Sequence, residues 1–161
     1  MSGQATRAIL WMFVGMIVAG AATWILMPSM MLAVHKSPHD YQGTVAALNN
    51  VIEGKQNWKA PNTFNFQQTI DDAGHGPIEK VGTIALCNPL YASRILAADE
   101  NKKVTAFMPL GIGVYEDVNG QVYVSELNVG LLGMMFGGTI ADVMADAGGD
   151  VSEIIAAATA E

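Results

Sequence analysis

An α+β fold behind one N-terminal transmembrane helix is the architecture this sequence predicts, and three observations predict it. Residues 8–34 contain no ionisable side chain. Residues 104–124 alternate apolar and other positions around an Asn-Gly turn, the pattern of antiparallel strands. On both sides of that stretch the apolar residues fall at helical spacing. The order expected is an antiparallel sheet with helices packed on one face, divided as 1–29 for stub and anchor and 30–161 for a soluble domain.

Composition narrows the function classes. Of 161 residues, 51% are hydrophobic and only 14% charged, which excludes disorder and suggests a membrane. The formal net charge of −7 argues against a nucleic-acid partner, which calls for a basic footprint against phosphate, and none is expected. A single Cys excludes an intrachain disulfide and a Cys-only zinc knuckle. Residues 36–161 hold seven basic and all 15 acidic residues, so the domain is acidic.

The stretch Ala8–Met27 has spanning length, since about 20 residues cover the ~30 Å hydrocarbon core. Trp11 and Trp24 lie near its ends, where indoles favour the headgroup layer, and Pro28 is expected to end it. Arg7 and the small residues Val18–Ala22 also fit a cleaved signal peptide. Because Thr23–Val34 stays apolar, an uncleaved anchor is expected. Arg7 marks the short side as cytoplasmic, which places the domain in the periplasm of a bacterial inner membrane. Gly15, Ala19 and Thr23 make a small-residue row that lets a second helix approach, so other membrane subunits or a second copy of the chain are the expected partners.

Met30–Val34 reads as a first strand or as the continuation of the span. Ser37-Pro38 predicts a helix N-terminus, and Tyr41, Val45, Leu48, Val51 and Ile52 carry the helix to about Glu53, before Gly54. Phe64, Phe66 and Ile70 share one parity and predict a strand near 63–70, followed by a turn over Asp71–Pro77. Val81–Cys87 is a β-prone run, and Pro89–Ala98 is a short helix with Leu90, Ile95 and Leu96 inward. From Val104 to Val114 alternate positions are apolar, with Pro109 marking an edge or bulge. Asn119-Gly120 predicts a two-residue hairpin turn that returns Val122–Val124. A helix is expected from Val129 to Gly148-Gly149, with Met134, Met135 and Met144 on its packed side, and a last short helix over Val151–Ala158.

In the blocks Ala85-Leu86-Cys87-Asn88-Pro89, Phe107-Met108-Pro109, Val114-Tyr115-Glu116 with Asn119-Gly120, and Asn128 with Met134–Gly138, the chain resembles the domain-of-unknown-function family 302 over roughly residues 30–158. That resemblance implies a fold similar to the TATA-binding-protein-like class, in a family without an agreed activity, some members of which are membrane-anchored and many of which occur in organisms with sulfur or lithotrophic metabolism. Relatives of the Cys-bearing type often carry a second Cys after the Met-Pro. Here that position is Leu110.

The candidate ligand residues are few. Cys87 stands at a strand end before a helix N-terminus, a setting that lowers a thiol pKa, although free Cys is also a common buried residue. His75 sits in Asp71–Gly76, a turn from which it could ligate haem or copper. His35 and His39 have the i, i+4 spacing of a metal pair, but Ser37-Pro38 lies between them. No Cys-x-x-Cys-His, phosphate loop, Gly-x-Ser-x-Gly or His-Glu-x-x-His occurs. The acidic run Asp142–Glu161 reads as a solvated face or an acidic docking surface. No catalytic residue and no cofactor are therefore assigned. The expectation is a non-enzymatic accessory or assembly subunit of a membrane complex. The alternative is a periplasmic domain that binds a small ligand or a metal, haem or copper, through His75 and Cys87. A thiol-dependent enzyme is a third reading.

Overall fold

The computed structural model of the chain describes residues 3–160. The chain forms two units, residues 1–31 and 32–161.

The first unit is one helix, α1 (Gly3–Met31), which runs through Pro28 rather than ending there. Proline removes one backbone donor but is tolerated inside apolar helices. Ser29 Oγ donates to the Leu26 carbonyl at 2.8 Å. Residues Arg7–Met31 are long and apolar enough to cross a membrane.

In the second unit the strands are β1 (Leu32–Lys36), β2 (Lys59–Asn65), β3 (Val81–Cys87), β4 (Leu110–Glu116) and β5 (Val122–Leu127). They form one antiparallel sheet in the order β1-β5-β4-β3-β2. The helices are α2 (Tyr41–Gly54), α3 (Phe66–Asp72), α4 (Pro89–Leu96), α5 (Val129–Met134) and α6 (Gly138–Ala158), with a 3₁₀ helix over Asp99–Phe107. Alternation places Ile84, Ile112, Val114, Val122 and Val124 on one sheet face. Leu48 and Ile52 of α2 and Ile154 and Ile155 of α6 close over them as the core.

Several boundaries differ from the sequence reading, each for a local reason. Asp40, not Ser37, caps α2, its Oδ1 accepting from Gly43 N–H at 2.7 Å. Ser37 is occupied elsewhere: its hydroxyl pairs with Thr44 Oγ1 at 2.7 Å and its N–H donates to the Val122 carbonyl. The strand expected near 63–70 ends at Asn65, whose side chain caps α3 by accepting from Gln68 N–H. Phe66 and Ile70 are four apart, a spacing that fits both periods. Residues 99–107 are 3₁₀-helical, and β4 begins only after Pro109. The hairpin between β4 and β5 uses three residues, Val118–Gly120, not two: Gly120 N–H donates to the Asp117 carbonyl, Asp117 N–H donates to the Gln121 carbonyl, and Gly120 has φ +80°.

The C-terminal helices also divide differently. The break falls at Met135–Gly137, where Gly137 and Gly138 both have positive φ, while Gly148-Gly149 lies inside a continuous α6. Met144 is buried as expected, but Met134 and Met135 are 73% and 70% exposed, because they stand at the end of α5 and in the turn that follows rather than on a packed face. Leu90 is likewise exposed, on the outer side of α4, whereas Ile95 is buried.

Candidate functional site

The Cys87 end of β3 borders an almost wholly apolar cavity. Asn88 follows Cys87 and caps α4, its Oδ1 accepting from the N–H groups of Leu90 at 3.1 Å and Tyr91 at 3.3 Å, and Pro89 pre-sets the first turn. This turn sends α4 back over the strand end. Between α4, the 3₁₀ helix and α6 lies a cavity of about 70 Å³, with Cys87, Ile95, Phe107, Met108 and Met144 among its walls. The lining is almost wholly apolar, so water there would lack the two to four polar partners it needs. The volume suits a ligand of a few heavy atoms and is far below the roughly 300 Å³ at which drug-sized pockets begin.

One wall is held by a polar cluster on α6. Asp150 Oδ2 accepts from Trp58 Nε1 at 2.9 Å and from the Tyr91 hydroxyl at 3.0 Å, and Lys55 Nζ lies 3.1 Å from Oδ1. Trp58 and Tyr91 meet edge to face at 6.0 Å. Burial pushes the Asp150 carboxyl up, but hydrogen bonds from Trp58, Lys55 and Tyr91 outweigh it and hold the group below the ordinary carboxylate range. Burial and the Asp150 charge raise Tyr91. Lys55 is raised chiefly by its hydrogen bond to Glu153, at 2.6 Å. Asp146 pairs with Arg94 at 3.3 Å. Much of the acidic run is therefore engaged in structural pairs.

A second polar cluster sits under β5. Glu126 is only 6% exposed, on the core face of its strand. Its Oε1 lies 3.1 Å from His35 Nε2, and Ser152 Oγ donates to both carboxylate oxygens at 3.2 and 3.3 Å. The carboxylate stands between the hydroxyl and the imidazole. A serine nucleophile needs the imidazole beside its hydroxyl, so this order does not activate Ser152. Glu126 borders cavities of about 190 and 510 Å³.

Of the ligand candidates, Cys87 is half-buried at the cavity wall. His75 lies exposed in the loop leading into β3, its N–H donating to the Ile70 carbonyl. Seven strand residues, about 20 Å, put Val81 and Cys87 at opposite ends of β3, so the structure does not bring His75 and Cys87 together. His35 is turned to Glu126, while His39 is exposed in the loop before α2, so the pair does not form a metal site. Among the described residues no three His, Cys, Asp or Glu side chains converge on one point. Gly15, Ala19 and Thr23 lie exposed on α1, with Thr23 Oγ1 donating to the Ala19 carbonyl at 2.9 Å. Sequence reasoning missed Trp58, Asp150 and Glu126. Only Glu126 left a signal, since it continues the inward parity of Val122 and Val124.

Residues 33–158 match the family model described as domain of unknown function DUF302. No curated protein matches the chain. Among solved structures, the uncharacterized conserved protein DUF302 from Bacillus stearothermophilus superimposes with a TM-score of 0.71 at 20% identity, covering 80% of this chain and 98% of that one. At that identity the likeness concerns the fold.

Proposed function

We propose, from the premise that this chain belongs to the DUF302 family, that it is a membrane-anchored, non-enzymatic accessory or assembly subunit of a larger membrane protein complex, its domain on the periplasmic side of a bacterial inner membrane. One observation carries the reading: Arg7–Met31 is one helix, long and apolar enough to cross a membrane, and none of the residues in its apolar window is buried. A core helix hides an apolar stripe against its own domain, whereas a helix apolar all round needs an apolar solvent. Its polar atoms fit that solvent, since the Thr23 hydroxyl is satisfied inside the helix. Arg7 at the short end supports a cytoplasmic N-terminus. Gly15, Ala19 and Thr23 offer a partner helix a close approach.

The test is purification of the native chain in mild detergent with crosslinking, and an alkaline phosphatase fusion at the C-terminus. A defined assembly larger than 17.0 kDa and an active fusion are expected. A lone monomer without partners, or release of the chain from membranes by alkaline carbonate, overturns the reading.

The apolar cavity beside Cys87 supports a second reading, a domain that binds a small apolar ligand. Its haem or copper version has lost the His75–Cys87 pair it relied on. Xenon or benzene added to the detergent-solubilised chain is expected to raise the melting temperature, and Ala147→Leu, which fills the cavity, to abolish that rise. No shift removes the reading.

A further inference from the structure

The end of the sheet where β1 begins is built unlike the rest of the domain. Leu32 opens β1 and pairs with Leu127, the last residue of β5; β4 starts at Leu110 on the same end. From there Asn128 caps α5 by accepting from Leu131 N–H, and α5 runs outward for six residues, about 9 Å. It packs on the first half of α6: a Cβ on Gly133 would meet Met144 and Ala141, and one on Gly130 would meet Ala145. The α5–α6 hairpin therefore overhangs the sheet, and its tip is Met134-Met135-Phe136.

That tip is apolar and open. Met134 and Met135 are 73% and 70% exposed, and Phe136 stacks edge to face on Phe107 at 6.1 Å, both rings more than one-third exposed. The stretches of chain that carry it are uncharged. Residues 104–115 and 127–141 contain no Asp, Glu, Lys or Arg, in a domain that holds seven basic and 15 acidic residues. The opposite end of the sheet also exposes Phe64 and Val118, but there Lys36, Lys80, Glu116 and Asp117 stand around the β4–β5 hairpin. An exposed apolar tip carried by uncharged stretches of chain marks an interaction surface.

Chain continuity says which surface. Leu32 follows Met31 without a linker residue, so the sheet end that carries Leu32 is joined directly to the last residue of α1. We propose that Met134, Met135 and Phe136, with Phe107 beside them, form a foot that sinks into the headgroup layer of the bilayer that α1 crosses. This rests on the anchored reading above. Flexible thioethers conform to disordered lipid better than branched side chains do, and an apolar element of this kind buries about 5–10 Å into the headgroup boundary. The foot would fix the tilt of the domain on the membrane and the direction in which it meets a partner.

The experiment uses the full chain with Cys87→Ala and one new cysteine at a time, Ile17→Cys, Val118→Cys or Met135→Cys, each carrying a fluorescent label. The chain is reconstituted in phosphatidylcholine vesicles containing lipids brominated at shallow or deep acyl positions. The Ile17 label is expected to lose emission to deep bromines and the Met135 label to shallow ones. The Val118 label, at an 82% exposed site on the opposite end, is expected to respond only to aqueous iodide. A Met135 label that ignores bromolipid while the Ile17 label is quenched overturns the foot and leaves the anchor standing, whether iodide reaches it or a protein partner covers it. An Ile17 label that ignores bromolipid overturns the anchor and the foot together.

Discussion

Replacing Asp150 is the sharpest test of how the cavity wall is held. In Asp150→Ala the indole N–H of Trp58, a residue 4% exposed, loses its acceptor at 2.9 Å, the Tyr91 hydroxyl loses its acceptor at 3.0 Å, and Lys55 keeps only Glu153. Leaving a buried donor unpaired costs about 1–3 kcal/mol, and a hydrogen bond to a charged group contributes about 1.5–3 kcal/mol. Tyr91 and Lys55 reach solvent and recover part of their loss, which gives a total of about 3 kcal/mol. For a domain of this length that lowers the melting temperature by roughly 10 °C. Asp150→Asn keeps one carbonyl oxygen for Trp58 and loses mainly the charge, so its cost is about 1 kcal/mol.

The pH dependence carries a sign. The folded Asp150 carboxyl titrates below its ordinary range, so its contribution is fully present above the unfolded pKa of about 4 and is lost as pH falls through the lower folded value. The difference in melting temperature between the natural chain and Asp150→Asn is expected to be constant from pH 8 to 5 and to shrink below about pH 4. The assay is thermal unfolding of the detergent-solubilised chain followed by near-ultraviolet circular dichroism. A drop under about 2 °C for Asp150→Ala, the size of an ordinary surface substitution, would refute the argument that this carboxylate clamps Trp58 and Tyr91.

Other substitutions probe separate contacts. Gly133→Ala would bring a Cβ within 2.7 Å of the Met144 Cβ and is expected to cost about 1–3 kcal/mol by prising the α5–α6 hairpin apart, whereas Gly149→Ala meets nothing within 4 Å and is expected to stabilise α6 by up to about 1 kcal/mol; melting curves of the two compare them directly. Ser152→Ala removes the hydroxyl that donates to the buried Glu126 and is expected to cost about 1–3 kcal/mol by the same measurement. Cys87, half-buried at a cavity wall, is expected to react faster with a small methanethiosulfonate than with a bulky maleimide; equal rates would place the thiol in open solvent.

How much of the fold could be read from the residues depended on whether one period dominated. Val81–Cys87 is a strand in every reading, because β-branched and apolar residues fill both faces and the neighbours are polar. The apolar run of α1 admits only a helix. Between Thr63 and Ile70, by contrast, Phe66 and Ile70 satisfy either period, and the choice fell to Asn65, whose side chain caps a helix that parity alone hides. Val104–Met108 alternates as a strand would, but Pro109 has no N–H for a ladder, and the segment before it coils into a 3₁₀ helix that buries Val104. Gly148-Gly149 looked like a stop. It stays helical because Gly148 packs closely on Gly130 and Val129, where a larger residue would collide.

The candidate sites were harder to read, since ligand residues and their partners are far apart in sequence. Cys87 was found by its position before Asn88-Pro89, a local signal. Its cavity was not, because Phe107, Met144 and Trp58 come from three other segments. The acidic run from Asp142 has no basic residue of its own, and its partners Lys55, Trp58, Tyr91 and Arg94 each precede the residue they meet by more than 50 positions. Only the sheet and α4 bring them together. The distribution of charge, however, was visible from the start: the uncharged stretches 104–115 and 127–141 stand out in an acidic domain. What the sequence could not say is that antiparallel pairing of Leu127 with Leu32 gathers them at the end where α1 joins. Strand direction brings two separate runs of uncharged chain to one end of the sheet, the end whose first strand follows α1 in the chain.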